Sequence, residues 1–408
     1  MTQIRLHSPA LNSEIKISRI IGSYHGDAAG PTLIFMGGIH GNEPAGVFAL
    51  HRVINHLEQN KIPINGNIFC IAGNLQALKQ GTRFLAEDMN RIWTKGRIDL
   101  LPEAPEEAEN EEIAEQIEVY NLIREILKTH PGPFYFFDIH TTSSETLPFL
   151  TVNDSLLNRG FTSQYPLPII LGIEEYLSGP ILSYINELGY VAFGFEAGQH
   201  DDLGSIENAE AFSYLSLVFT GLLDRALIDY HHYYDLLAKT AGDVKSIFEI
   251  YFRYRITPEE EFVMEPGFFN FQRVRRDQLV AKSNGKDIRA KTNGRIFLPL
   301  YQNQGTDGFF AIRRIKRLFL NLSTKMRKYQ LDRVLVWLPG ISWLDDKKSA
   351  LVINRTIARF LAKQLLHLLG YRSIEKGKDY LLAYNRESEA RNQDYQKANW
   401  FEHIYDSI

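Results

Sequence analysis

Through the first 228 residues, short apolar runs alternate with longer stretches in which apolar residues recur at helical spacing. Leu33 to Met36, Asn67 to Ala72, Phe134 to Ile139 and Tyr190 to Phe195 read as buried strands. Pro44 to Glu58 reads as a helix with Val47, Leu50, Ile54 and Leu57 on one face, and Ile181 to Leu188 as another. Strands separated by helix-length segments predict a parallel or mixed sheet covered on both faces. From about Tyr251 the pattern changes to short β-type runs (Glu261 to Phe271, Gln278 to Ala281, Ile288 to Ala290, Arg295 to Leu300) punctuated by Asn-Gly turns, which predicts a small all-β module. After residue 320 the α/β texture returns, with a strand over Arg333 to Leu338 and an amphipathic helix over Lys347 to Leu369. The divisions expected are therefore 1–228, 229–320 and 321–408.

A chain of 408 residues with 44% hydrophobic and 23% charged positions is long enough for two or three domains of ordinary globular composition. Its formal net charge of -4 gives no reason to expect a nucleic-acid partner. The start, MTQIRLHSPALNSEI, has no apolar signal core, and the apolar stretch from Leu215 to Leu223 is too short to span a bilayer. A cytoplasmic protein without a membrane partner is expected, with a homo-oligomer left open. The single Cys70 excludes an internal disulfide. Pro102 to Glu118 holds eight glutamates and no Lys or Arg, and reads as a solvated loop leading into a helix that runs to about Lys128.

Candidate chemistry begins at GGIHGNEPAG, residues 37 to 46. His40 and Glu43 sit three residues apart where a buried strand gives way to a helix, so an imidazole and a carboxylate reach one metal ion. Gly37, Gly38 and Gly41 allow a sharp turn, and Pro44 suits a first helical turn. In FFDIHTTSS, His140 stands at the end of another strand and supplies a third ligand; strand ends on one edge of an α/β sheet are where such folds build sites. Two imidazoles, a carboxylate and an open position form the pattern of a catalytic zinc site. Asp138, two residues before His140, is placed to orient a ligand imidazole.

Hydrolysis then needs a base and cations. Glu196, in VAFGFEAGQH, is a carboxylate on a buried apolar strand, which is costly unless it has a metal, a proton or a cation for company. In NLQALKQGTRFLAEDMNRIW, residues 74 to 93, Arg83, Asn90 and Arg91 cluster among apolar residues. A guanidinium keeps its charge and pairs with carboxylates, so an Asn-Arg pair suits a substrate carboxylate and a separate Arg suits developing negative charge.

The order H-x-x-E, N…R…D-x-N-R, D-x-H-T and buried Glu resembles the succinylglutamate desuccinylase/aspartoacylase family, a deacylase branch of the zinc carboxypeptidases, over about residues 30 to 200. The resemblance implies a zinc-carboxypeptidase-like mixed sheet flanked by helices, a small C-terminal β domain from about Gly267 to Pro299, and here an additional α/β extension. It implies one Zn2+ per chain on His40, Glu43 and His140, Glu196 as general base, Arg83 at the scissile carbonyl oxygen, and Asn90 with Arg91 on a substrate carboxylate. Relatives acting on acyl-aspartate carry a further Arg about ten residues before the base; here that stretch is SYINELGY, with Asn186 and no Arg. The expected function is zinc-dependent cleavage of a linear amide in an N-acyl amino acid or related carboxylate-bearing small molecule. The alternatives are a zinc carboxypeptidase acting on short peptides, or a catalytically silent metal- or ligand-binding protein.

Overall fold

The computed structural model describes residues 3–358, 363–376 and 379–404. Its centre is an eleven-stranded sheet. From one edge the order is Arg273–Val274, Gly294–Phe297, Asp307–Arg314, Ile247–Arg255, Ile169–Leu171, Phe149–Val152, Val191–Gln199, Phe134–Thr142, Ala28–Gly37, Asn65–Ala72 and Ile20–His25. The four strands from Val191–Gln199 to Asn65–Ala72 are mutually parallel. Strand Phe149–Val152 runs antiparallel to Val191–Gln199.

Period-two alternation sends neighbouring side chains to opposite faces. Leu33, Phe35, Tyr135, Phe137, Phe193 and Phe195 pack with helices Ala45–Gln59 and Leu203–Phe219. Ile34, Met36, Phe134, Phe136 and Ala192 pack on the other side with helices Glu111–Thr129 and Ile181–Glu187. The predicted apolar face of the first helix is buried at Val47, Leu50, Ile54 and Leu57. The mixed sheet flanked by helices is thus present, with small antiparallel sheets towards the C-terminus.

The β-rich region is built onto the large sheet: Ile247–Arg255 pairs in parallel with Ile169–Leu171 and antiparallel with Asp307–Arg314. Only the strands Phe262–Met264, Leu279–Ser283 and Lys286–Arg289 form a separate three-stranded sheet. Farther on, a four-stranded antiparallel sheet of Ile341–Trp343, Ala350–Asn354, Tyr380–Asn385 and Tyr371–Lys376 carries the extension. The helix Arg317–Lys328 crosses the boundary expected at 320.

Two expected elements are corrected. Arg333 to Leu338 is not a strand but part of a 3-10 helix, Leu331–Trp337, because the β-branched run finds no strand partner there. The helix expected over Lys347 to Leu369 is strand Ala350–Asn354 followed by helix Lys363–Leu368, with residues 359–362 outside the described part. A short apolar run such as ALVIN does not distinguish helix from strand by periodicity. The glutamate-rich stretch also differs: its helix is Glu111–Thr129, but Glu112 and Glu115 are buried rather than solvated.

Candidate metal centre and active site

The strand Ala28–Gly37 ends where Gly38 adopts φ +69°, a conformation glycine takes without strain. His40 and Glu43 follow in a tight turn closed by the Glu43 N–H donating to the His40 carbonyl at 3.2 Å. Gly41 lies against the backbone of Ala77, leaving no room for a Cβ, and donates its N–H to the Arg83 carbonyl at 3.1 Å. That contact brings the loop carrying Arg83 to the turn of His40 and Glu43.

His140 lies on the strand Phe134–Thr142, directly across from Glu196 in the parallel register, so both side chains emerge on one face. The Nδ1 atoms of His40 and His140 each donate to one carboxylate oxygen of Glu43, both at 2.9 Å. All three ligand-type groups are buried, and their ligand atoms lie within 4.8 Å of one another. Two imidazole nitrogens and a carboxylate gathered at one buried point suit a borderline divalent cation such as zinc. The far side of each ring is held as well: Asp88 accepts from His40 Nε2 at 3.0 Å and Asp138 from His140 Nε2 at 2.7 Å. Such carboxylate–imidazole contacts fix the ring orientation of a metal ligand.

The charges respond to this crowding. Burial alone would raise the Glu43 carboxyl, but the imidazoles of His40 and His140 hold it well below its ordinary value. Burial would lower His140, yet Asp138 and Glu43 hold it well above its ordinary value. The site thus demands positive charge between its carboxylates, which a divalent cation supplies when the imidazoles are neutral ligands.

Glu196 lines the same cavity, of about 160 Å³. Its Oε2 is buried without a hydrogen-bond partner. Desolvation pushes its carboxyl up to about 8, with His140 pulling it down and Glu43 and Asp138 adding repulsion. An unpaired carboxylate with raised proton affinity beside a metal-type donor set is equipped to accept and return a proton.

Arg83 places NH1 3.4 Å from Glu43 Oε1 and donates from NH2 to Asp88 at 3.1 Å. Arg91 lines the cavity, donates to the Asn90 carbonyl at 2.8 Å and lies 3.7 Å from Asp307. Asn90 is more committed: its Oδ1 accepts the Ile181 N–H at 3.0 Å, and its Nδ2 lies 3.5 Å from His140 Nε2. Asn74, the first residue of the stretch 74 to 93, is structural. Its side chain caps the helix Leu75–Gln80 and donates to Glu112 at 3.1 Å.

Sequence reasoning gave no role to several residues found here. Asp88 was visible within D-x-N-R, and its contact with His40 is the missing half of a symmetric pair with Asp138. Thr141 donates its backbone N–H to Glu43 Oε2 at 3.0 Å. A roof arrives from the β-rich region: Gln302 accepts from Asn42 at 2.9 Å, and Gln304 accepts the Arg83 N–H at 3.1 Å. No local signal marks residues that act across more than 200 positions of sequence.

This fold and donor set define an α/β protein with a buried His-Glu-His group at the strand ends that could hold a metal ion. Residues 29–213, somewhat under half of the chain, match the family model of the succinylglutamate desuccinylase/aspartoacylase catalytic domain. A curated relative, the succinylglutamate desuccinylase of Pseudomonas fluorescens, is 33% identical over 86 residues, 21% of this chain. That match spans only about a quarter of the relative's length (26%). Among solved structures, a succinylglutamate desuccinylase from Vibrio cholerae is similar with TM-score 0.53 at 18% identity, covering 78% of this chain and 92% of that one. A succinylglutamate desuccinylase/aspartoacylase from Rhodobacter sphaeroides gives TM-score 0.53 at 15% identity, covering 77% and 94%. At these identities the likeness is one of fold.

Proposed function

We propose that this protein is a zinc-dependent amidohydrolase that deacylates an N-acyl amino acid or a related small molecule bearing one carboxylate. The observation that carries the reading is the meeting of His40, Glu43, His140 and the unpartnered Glu196 carboxylate in one cavity. When bound by His40, Glu43 and His140, zinc lowers the pKa of water and polarises a carbonyl. Glu196 takes the proton from the attacking water and delivers it to the leaving nitrogen. Arg83, fixed by Glu43 and Asp88, faces the developing oxyanion. Arg91 and Asn90 hold the substrate carboxylate, with Asn90 positioned through its Oδ1, which accepts the Ile181 N–H.

Two features favour a small, singly charged substrate. The cavity, with Gln302 of the β-rich region on its wall, holds about 160 Å³, a volume that suits an acylated amino acid better than a peptide. Among the described residues, Arg83 and Arg91 are the only Lys or Arg lining that cavity; Arg83 is paired with Glu43 and Asp88, and Arg91 lies 3.7 Å from Asp307. The remainder of the wall includes Thr151, Asn153, Ser183, Leu177, Leu182 and Phe193, which offers no cation to a second carboxylate.

The test is a panel of N-acyl amino acids and dipeptides given to the zinc-loaded protein and to Glu196→Gln at equal zinc content. Hydrolysis of acyl amino acids by the native protein, abolished in the variant, is expected. Equal turnover by both would assign the base elsewhere, and a preference for dipeptides would make it a carboxypeptidase.

A further inference from the structure

The chain as a whole is acidic, yet residues 313 to 337 contain eight Lys and Arg against a single Asp. That Asp332 is buried, where it accepts from the Tyr371 hydroxyl at 2.6 Å. Of the basic groups, only Arg327 is buried, while Arg314, Lys316, Arg317, Lys325 and Arg333 are exposed. Arg313, also exposed, reaches Glu249.

Large apolar side chains stand among these charges. On the helix Arg317–Lys328, the outward stripe is Leu318, Leu322 and Lys325, continued by Tyr329 just past its end. Leu318 is 72% exposed and Tyr329 69%. The opposite face, with Leu320, Ser323, Thr324 and Arg327, is buried. The 3-10 helix Leu331–Trp337 follows, and its period of three aligns Leu331, Val334 and Trp337 on one outward ridge. Trp337 is 83% exposed. Exposed large apolar side chains gathered in one stretch of chain, 318 to 337, point to a contact with something.

We propose that this basic and apolar surface docks on an anionic lipid bilayer. Lys and Arg around protruding Leu, Tyr and Trp is the composition of a segment lying in the headgroup region, and the charge is complementary to acidic lipid. A second copy of the chain is disfavoured, because a symmetric pairing sets the same cations against each other. Nucleic acid is disfavoured because Leu318, Leu322, Leu331 and Val334 have no use for a sugar–phosphate backbone. No helix of the described residues is long and apolar enough to cross a membrane, so attachment is peripheral. This revises the expectation of no membrane partner, which rested only on the lack of a spanning stretch. None of residues 313 to 344 lines the catalytic cavity, so docking leaves it uncovered.

The experiment is co-sedimentation of the full chain with phosphatidylglycerol vesicles and with phosphatidylcholine vesicles, at low and high salt. Binding to the anionic vesicles alone, weakened by salt and accompanied by a blue shift of tryptophan emission, is expected. Leu331→Ser/Val334→Ser/Trp337→Ser and, separately, Lys325→Glu/Arg333→Glu should each reduce binding about tenfold or more. Both sets change exposed side chains, and unaltered far-UV circular dichroism and Tm establish that the fold is kept. Absence of binding by the native chain, or equal binding by it and both folded variants, overturns the proposal. So does a dimer in solution that the triple-serine variant abolishes, which would assign the surface to a second copy.

Discussion

The buried carboxylate of Glu112 accepts the backbone N–H of Leu85 at 2.7 Å, so that the acidic helix holds the loop from which Arg83 projects. The same carboxylate accepts from Ala86 at 2.9 Å and from Asn74 Nδ2 at 3.1 Å. One helical turn on, Glu115 accepts the Leu75 N–H at 2.9 Å and pairs with buried Arg19. A glutamate run that looks like a solvated face therefore anchors both ends of the segment that reaches the turn of His40 and Glu43.

From this, Glu112→Gln should disturb catalysis without touching the cavity. Replacing one acceptor oxygen by NH2 leaves buried N–H groups short of a partner, at about 1–3 kcal/mol. A small displacement of Arg83 is enough to cost on the order of 10²-fold in rate. Steady-state kinetics should show kcat falling with zinc stoichiometry intact. Adding Glu112→Gln to Arg83→Ala should lower kcat little further, since both act through one group. Additive losses would mean that Glu112 serves something other than Arg83.

Much of this was legible in sequence where the signal is local. His40, Glu43 and His140 declare themselves through strand ends, glycines and spacing, and Glu196 through its isolation in an apolar strand. Continuous apolar runs marked the central strands, because burial on both faces calls for apolar residues at successive positions. What escaped depends on distant partners. Glu112 is one glutamate among eight until Leu85 and Ala86 are seen against it, and Gln302 and Gln304 are loop residues until Asn42 and Arg83 are. Arg333 to Leu338 carry strand-like composition, yet the chain there forms the 3-10 helix Leu331–Trp337 and its C-terminal cap.

The paired carboxylates behind the two imidazoles make a prediction about affinity. Asp88→Asn and Asp138→Asn should each lower zinc affinity by about 10–100-fold, because each removes the acceptor that orients a ligand ring. Competition with a chromophoric chelator measures this directly. Zinc ligand distances should be about 2.0–2.2 Å in a metal-bound crystal structure. Wild-type affinity in Asp88→Asn would show that its contact with His40 is incidental.

Glu196 gives a pH signature in the chelated protein. Its folded value is raised to about 8, above about 4.3 for an unfolded Glu. The native state therefore holds this proton longer than the unfolded state does. Its contribution is fully present below about pH 4.3 and is lost as pH rises through 8. Removing the titration by Glu196→Gln should leave Tm close to native at pH 4 to 5. By pH 9 the metal-free variant should be the more stable by a few °C. A Tm difference independent of pH would mean that Glu196 is not held protonated by its surroundings.

Substrate recognition divides between the two arginines. Arg91→Ala leaves a substrate carboxylate unpaired and should cost about 2–5 kcal/mol in binding, seen mainly in KM. Arg83→Ala removes an interaction with charge that develops only at the transition state and should act mainly on kcat. With no third cation on the cavity wall, N-acetyl-aspartate should be a poorer substrate than an acyl amino acid with a neutral side chain. Efficient, selective hydrolysis of N-acetyl-aspartate would show that a basic residue outside the present lining enters the site.

Asp154 ties the C-terminal extension to the catalytic sheet. It follows Asn153 of the cavity wall and accepts from Arg159 NH2 at 2.8 Å and from Arg327 NH2, on the extension's helix, at 2.9 Å. Arg327 also donates to the Asp154 carbonyl at 2.9 Å and to Glu387 at 3.2 Å. Burial alone would raise the Asp154 carboxyl, but Arg159, Arg327 and Arg386 hold it far below its ordinary value. The resulting stabilisation is present above about pH 3.9, the unfolded value, and is lost progressively as pH falls below it. Asp154→Asn leaves buried guanidinium groups undercompensated and should cost about 3–5 kcal/mol at neutral pH. The Tm gap between wild type and Asp154→Asn should therefore narrow on titration from pH 5 to pH 3. A gap that stays constant to pH 3 would mean that the shape of the side chain, rather than its charge, holds the extension in place.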